Sequence, residues 1–136
     1  TFLDKVASLL SGDGLFLLHT IGGNSTVSGN DPWIDRYIFP NGALPSIQQI
    51  GRDCEGRFVV EDIHNFGLDY DATLLAWHEN FSQAWPQLKD RYDTSFKRMW
   101  KYYLLSCAGA FRARDLQVWQ WVLSPKGLES GYHSPR

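Results

Sequence analysis

His19 closes the apolar run Phe16-Leu17-Leu18, and Gly22-Gly23 follow it within four residues. An imidazole in that place has three ordinary uses: metal ligand, base, or a strand-end group satisfied by a backbone carbonyl. Its position adds a fourth. A strand terminus in an α/β sheet aims side chains at the crevice where such folds bind ligands, and a glycine turn just after it frees amides to face an anion. The sharper expectation is therefore an oxyanion site built from the imidazole of His19 and the amide of Ile21 or Gly22. Tyr70 falls at a helix start, where first-turn amides are unpaired and the dipole favours negative charge. Its phenol either donates to the same anion or makes one hydrogen bond in the core.

The remaining polar groups offer less chemistry. His64 and His78 have no partners at zinc spacing, so no metal is expected; His64 reads as a strand cap and His78 as helix decoration. Glu61 and Asp62 are adjacent in a strand and so face opposite ways, which argues against a carboxylate pair. Cys54 and Cys107 form neither a disulfide framework nor a metal-ligand spacing, which makes reduced thiols in a cytoplasm the default. Cys107 lies on an apolar helical stripe and reads as a small core residue. Asn24-Ser25-Thr26 matches a glycosylation acceptor in form only, and Arg112 and Arg114 near a helix end read as complementing its dipole, with phosphate binding the lesser alternative. A formal net charge of -2 over 136 residues gives no clustered basic excess for nucleic acid.

These groups need a scaffold, and the chain has the size of one domain able to hide about two thirds of its unfolded surface. Six Trp, six Tyr and eight Phe must build a core or line an apolar pocket. No apolar run approaches the roughly 20 residues of a membrane span. The spacing of Leu3, Val6, Leu9 and Leu10 predicts a helix that Ser11-Gly12-Asp13-Gly14 stops. Leu15 to His19 is apolar on both faces, the pattern of a central strand in a parallel sheet covered by helices on both sides. Residues 21–31 read as a mobile loop. Asp31-Pro32 caps and opens a short helix through Trp33, Ile34, Tyr37 and Ile38, and Pro45-Ser46 opens another carrying Ile47 and Ile50. Residues 57–62 suit a second strand. Asp69 is expected to cap a helix with Leu74, Trp77, His78, Phe81 and Trp85 on one face, ending or kinking at Pro86. Phe96, Met99, Trp100, Tyr103, Cys107, Ala110 and Phe111 trace one stripe of a long helix. Residues 116–123 suit a last strand with 116, 118 and 122 on one face, and a flexible tail follows. The fold class is α/β. No signal peptide is expected from the first residues, and the start at Thr1, already inside an amphipathic pattern, reads as a fragment.

Four strings carry a resemblance: HTIG at 19–22, DPWIDRYIFPNG at 31–42, HNFGLDYDATLLAWHENF at 64–81 and RMWKYYLLSCAGAFRARDLQVWQ at 98–120. Together, from the first helix to about Pro125, they resemble the cyclopropane-fatty-acyl-phospholipid synthases, relatives of the mycolic acid cyclopropane synthases. The resemblance implies an S-adenosylmethionine-dependent methyltransferase on a Rossmann-like fold. Residues 1–125 would be the C-terminal part of its catalytic domain and 126–136 a flexible tail. It implies transfer of a methyl group to the cis double bond of an unsaturated phospholipid acyl chain at the membrane surface, with bound bicarbonate taking a proton as the ring closes. A small anion in an apolar tunnel needs preorganised donors; those implied here are His19, the backbone of Ile21, and Tyr70, with the two glycines letting the loop fold over the anion. Phe66, Trp77, Tyr103 and Cys107 are expected to border the acyl chain, the rings softening a transient cation.

The chain departs from the family in lacking the glycine-rich S-adenosylmethionine loop and the upstream acidic and cysteine contributions to the bicarbonate site. No cofactor-binding residue is therefore assigned, and the chain alone is expected to be inactive. Ile63 stands where close relatives would carry Trp. A bacterial cytoplasmic enzyme peripheral to the inner membrane is implied. Self-association, such as a homodimer, is expected through the apolar edge that a truncated sheet would expose. Two alternatives remain: a sister lipid methyltransferase giving methyl-branched or oxygenated chains, and a non-catalytic lipid-binding or dimerisation module.

Overall fold

Eight elements follow one another in the structure, a computed structural model that describes residues 2–27 and 29–135. They are α1 (Phe2–Leu9), β1 (Phe16–Gly23), α2 (Pro32–Tyr37), α3 (Ile47–Cys54), β2 (Val59–Asn65), α4 (Gly67–Leu88), α5 (Thr94–Arg112) and β3 (Leu116–Ser124). Thr1, Arg136 and Ser28 of the expected mobile loop lie outside the described residues.

The sheet has the order β1-β3-β2, and both outer strands run antiparallel to β3. β1 and β2 are thus parallel to each other without touching. This corrects the expectation for β1: among the described residues it lies at an edge, and its Leu17 is 53% exposed. The central strand is β3, in which residues 117–119 and 121–124 are buried. It includes two glutamines, Gln117 and Gln120. Gln117 is nevertheless 5% exposed, because its amide is hydrogen-bonded on both sides, as described below.

Alternation along β3 divides the core in two. Trp119, Trp121 and Leu123 pack with Leu3 of α1 and with Ile50 and Cys54 of α3, joined by Phe16, Leu18 and Phe58. Val118 packs on the opposite face with Leu74 of α4 and with Leu104, Ala108 and Phe111 of α5. Helices therefore cover both faces. Each fully buried Leu or Phe here contributes about 1.5–3 kcal/mol through the apolar area it removes from water.

Local chemistry sets the helix boundaries. The Asp31 carboxylate accepts from the amides of Trp33 and Ile34 at 2.9 and 3.0 Å. Ser46 and Gln49 form a reciprocal capping box. Asp93 accepts from the amide of Phe96 at 2.7 Å, fixing the start of α5. α4 begins two residues before Asp69, which makes no side-chain cap; the Gly67 amide instead donates to the Asn65 side chain at 3.1 Å. Pro86 does not end that helix. It sits in the final turn, and the chain closes beyond it with the Lys89 amide donating to the Trp85 carbonyl.

Gly22-Gly23 were expected to turn the chain over an anion. They continue β1 instead, paired with Gln117 and Leu116. The requirement at Gly22 is steric, since a Cβ there would lie 2.0 Å from Cζ3 of Trp119. The chain after β1 is also tethered: Thr26 Oγ1 lies 2.7 Å from Ser46 Oγ. In β2 the register shifts between Val60 and Asp62, releasing Glu61 from the ladder. The Glu61 carboxylate accepts from Ser124 Oγ and from the Leu128 amide, and the Gly127 amide donates to Ser124 Oγ. The first residues of the expected tail are therefore anchored to the bulge.

Candidate functional site

Register places one polar row across the α4/α5 face of the sheet. His19 of β1 lies directly opposite Gln120 of β3, and His64 of β2 lies opposite the same Gln120. Directly paired residues share a face, so two imidazoles flank one amide. Gln120 Nε2 is 3.4 Å from His19 Nδ1. Just past β2, Phe66 puts its ring 5.5 Å from that of His19 and 5.2 Å from that of His64.

Phe66 then connects this row to the helices. Tyr70, one turn into α4, has its ring 6.1 Å from Phe66, 5.3 Å from Phe111 and 6.4 Å from Trp77. Ile21, Phe66, Tyr70, Tyr103 and Cys107 all pack on the cluster around Leu104 and Ala108. The seven residues nominated by the sequence therefore lie on one side of the sheet. Trp77 is 49% exposed, with its ring against that of Tyr70.

Two devices hold this arrangement. Arg112 of α5 donates through Nε and a terminal NH2 group to both carboxylate oxygens of Asp71, at 2.8 and 2.9 Å. That fork ties α5 to α4 beside Tyr70. The second is the buried amide of Gln117. Its oxygen accepts from Asn65 and Arg114, each at 3.0 Å, and its nitrogen donates to Asn24 Oδ1 at 3.1 Å and to the Arg114 carbonyl at 2.9 Å. One side chain thus joins the end of β2, the chain leaving β1, and the α5–β3 turn.

The wall behind Tyr70 carries no charge at neutral pH. Burial pushes the Tyr103 phenol above its ordinary value, with Cys107 and Tyr70 adding to the shift. Burial likewise raises the Cys107 thiol, with a further push from Asp31. Protonated phenol and thiol groups beside aromatic rings make an apolar surface with a few hydrogen-bond donors. Such a surface can receive a hydrocarbon, and an imidazole and a phenol are groups able to donate to an anion.

A separate cleft of about 1100 Å³ lies between α2 and α5, lined by Trp33, Tyr37, Met99, Tyr102 and Leu105 among others. None of the seven nominated residues lines it. Among the described residues no cluster of three or more His, Cys, Asp or Glu could hold a metal ion. The Gln120–His64 part of the polar row was not nominated from the sequence. The signal that could have found it is strand register, which assigns Gln120 to the face of His19.

Residues 1–121 match the family described as mycolic acid cyclopropane synthetase. The chain is 55% identical over 136 residues to a cyclopropane-fatty-acyl-phospholipid synthase of Escherichia coli (strain K12), covering 100% of this chain and 35% of that protein. It therefore spans about a third of that relative's length. Among solved structures, a mycolic acid cyclopropane synthase complexed with SAH and CTAB superposes with a TM-score of 0.79 at 26% identity. That match covers 90% of this chain and 48% of the other. A cyclopropane synthase from Mycobacterium tuberculosis shares the fold, with a TM-score of 0.81 at 23% identity over 90% of this chain and 48% of its own.

Proposed function

The chain belongs to the mycolic acid cyclopropane synthetase family, and from that premise we propose that it supplies the C-terminal portion of a cyclopropane-fatty-acyl-phospholipid synthase. The reaction is addition of a methylene unit from S-adenosylmethionine across the cis double bond of a phospholipid acyl chain. No residue of this chain is assigned to the methyl donor, since no glycine-rich strand-to-helix turn suited to it is present among the described residues. The chain's part is the other half of the chemistry: receiving the acyl chain and holding the group that takes the proton.

The observation that carries this reading is the chain of contacts from His19 through Phe66 to Tyr70. It sets an imidazole and a phenol around one ring, where the polar row meets the apolar cluster of α4 and α5. That donor set fits bicarbonate, a small oxyanion whose burial is costly unless donors are already in place. When bound, the ion supplies a base for the proton lost as the ring closes. His19 and Tyr70 donate to it, the Ile21 backbone completes its surroundings, and Phe66 fixes the approach of both side chains. Tyr103, Cys107 and Trp77 border the hydrocarbon and exclude water. We place the protein at the cytoplasmic surface of the inner membrane, where such acyl chains reside. No helix among the described residues is long and apolar enough to cross a membrane. The open β1 edge, with Leu15 and Leu17 exposed, supports self-association of the isolated chain.

The test is His19→Ala in the full-length protein, with phospholipid acyl chains analysed by gas chromatography and mass spectrometry. Removing one preorganised donor to a reacting anion lowers turnover about 10²–10³-fold, and cyclopropane product should fall accordingly. Undiminished ring formation with an unchanged response to added bicarbonate would overturn the assignment.

A further inference from the structure

We propose that Gln120 is a positioning residue that sets the tautomer of His19. The inference rests on the oxyanion reading given above and goes beyond it by naming the group that orients the donor. A neutral imidazole has one N–H donor and one bare nitrogen. It serves an anion only if the N–H points outward, and an unassisted ring interconverts between the two forms.

Gln120 removes that freedom. Its position opposite His19 in the β1–β3 ladder fixes the amide beside the ring, and its Nε2 faces His19 Nδ1 at 3.4 Å. With the amide NH2 donating across this contact, Nδ1 is the acceptor and the proton of the neutral ring resides on Nε2. The Phe66 ring packs against the imidazole from the helix side, 5.5 Å away at an interplanar angle of 50°. The backbone that holds Gln120 is the central strand, paired on both sides and buried on either flank of this residue. The amide is therefore carried on the most constrained element of the sheet. His64, on the other side of the same Gln120, is a second imidazole within the row, and the amide nitrogen lies against His19.

The experiment uses the full-length protein with 15N-labelled histidine, at a pH where the ring is neutral. The His19 resonances are assigned by their loss in His19→Asn. Long-range 1H–15N spectra separate the two tautomers by the shifts of the ring nitrogens. In the wild type His19 should show the Nε2–H form. In Gln120→Glu, nearly the same shape but only an acceptor, it should convert to the Nδ1–H form. In Gln120→Leu it should become a mixture.

Both variants should raise the apparent KM for bicarbonate about tenfold, the loss expected when one orienting hydrogen bond is removed, while the KM for the methyl donor stays within twofold. A purely structural role for Gln120 would shift both constants or neither. A wild-type His19 in the Nδ1–H form overturns the proposal, as does a tautomer unmoved in both variants. If the tautomer switches with no change in the bicarbonate KM, it is the oxyanion reading that fails while the Gln120–His19 hydrogen bond stands.

Discussion

Gly22→Ala is the substitution whose effect the geometry determines most tightly. A Cβ at residue 22 would sit 2.0, 2.6 and 2.7 Å from three carbons of the Trp119 indole. Carbon atoms attract best near 3.5–4.0 Å, so the ring would have to retreat by about 1.5 Å. It has little room: Trp119 is 4% exposed and meets Trp121 edge-on at 6.5 Å. Overpacking a filled core costs about 1–3 kcal/mol, and a rigid ring backed by a second one places this case near 3. For a domain of this class that corresponds to a fall in Tm of roughly 6–12 °C. Gly23→Ala is the internal control, because its Cβ would meet only the Ser25 carbonyl, at 3.7 Å; it should stay within about 0.5 kcal/mol. Differential scanning calorimetry of the full-length protein reads both. In a Trp119→Leu background the cost of Gly22→Ala should drop below about 1 kcal/mol, since the opposing ring is gone. Equal destabilisation in both backgrounds, or a Tm change below 2 °C in the wild type, would refute the steric explanation.

Other expectations are simpler to state. Leu104→Ala, at a residue 1% exposed in the α4–α5–β3 core, should cost about 2–5 kcal/mol in urea unfolding. Ser46→Ala removes a capping box and a contact to Thr26, and should cost about 1 kcal/mol with little change in activity. Tyr70→Phe should keep the fold and lower turnover, with a weaker response to bicarbonate. Cys54, Cys107 and Tyr103 all hold their protons more tightly folded than unfolded. Their contribution to stability is complete below the ordinary thiol value of 9.0 and is lost as pH rises through the raised folded values. Denaturation midpoints should therefore fall above about pH 9, and the fall should be shallower in Cys107→Ala.

What was legible in the sequence was mostly local. Asp31-Pro32 and Pro45-Ser46 marked helix starts because a cap is a contact between near neighbours. The stripe from Phe96 to Phe111 followed from helical period, although two of the three buried members, Leu104 and Ala108, lay beside the line that was traced. The sheet was misread where the answer depended on partners. An apolar run such as Phe16-Leu17-Leu18 suits a central strand, yet β1 lies at an edge of this chain. β3 takes the centre despite Gln117 and Gln120, because burial of an amide is tolerated once its hydrogen bonds are met. Gly22 was read as freedom of the backbone when the cause was an indole arriving from almost a hundred residues away. For the site, pattern offered His19, the amide of Ile21 or Gly22, and Tyr70 as donors to an anion, and resemblance narrowed the amide to Ile21 and named the anion. The pairing of His19 with Gln120 needed the strand register, which no single segment encodes.

The position of β3 has a consequence for how the chain is made. β1 and β2 emerge from the ribosome long before the strand that joins them, and neither pairs with the other. Until residues 116–124 are synthesised, the edges that face β3 must wait unpaired, and Val59, Val60 and Ile63 of β2 are exposed even in the finished sheet. Nascent chains halted before Leu116 should thus be captured by chaperones or proteases. Release of the closing nine-residue segment is the step that commits the polypeptide to its native shape.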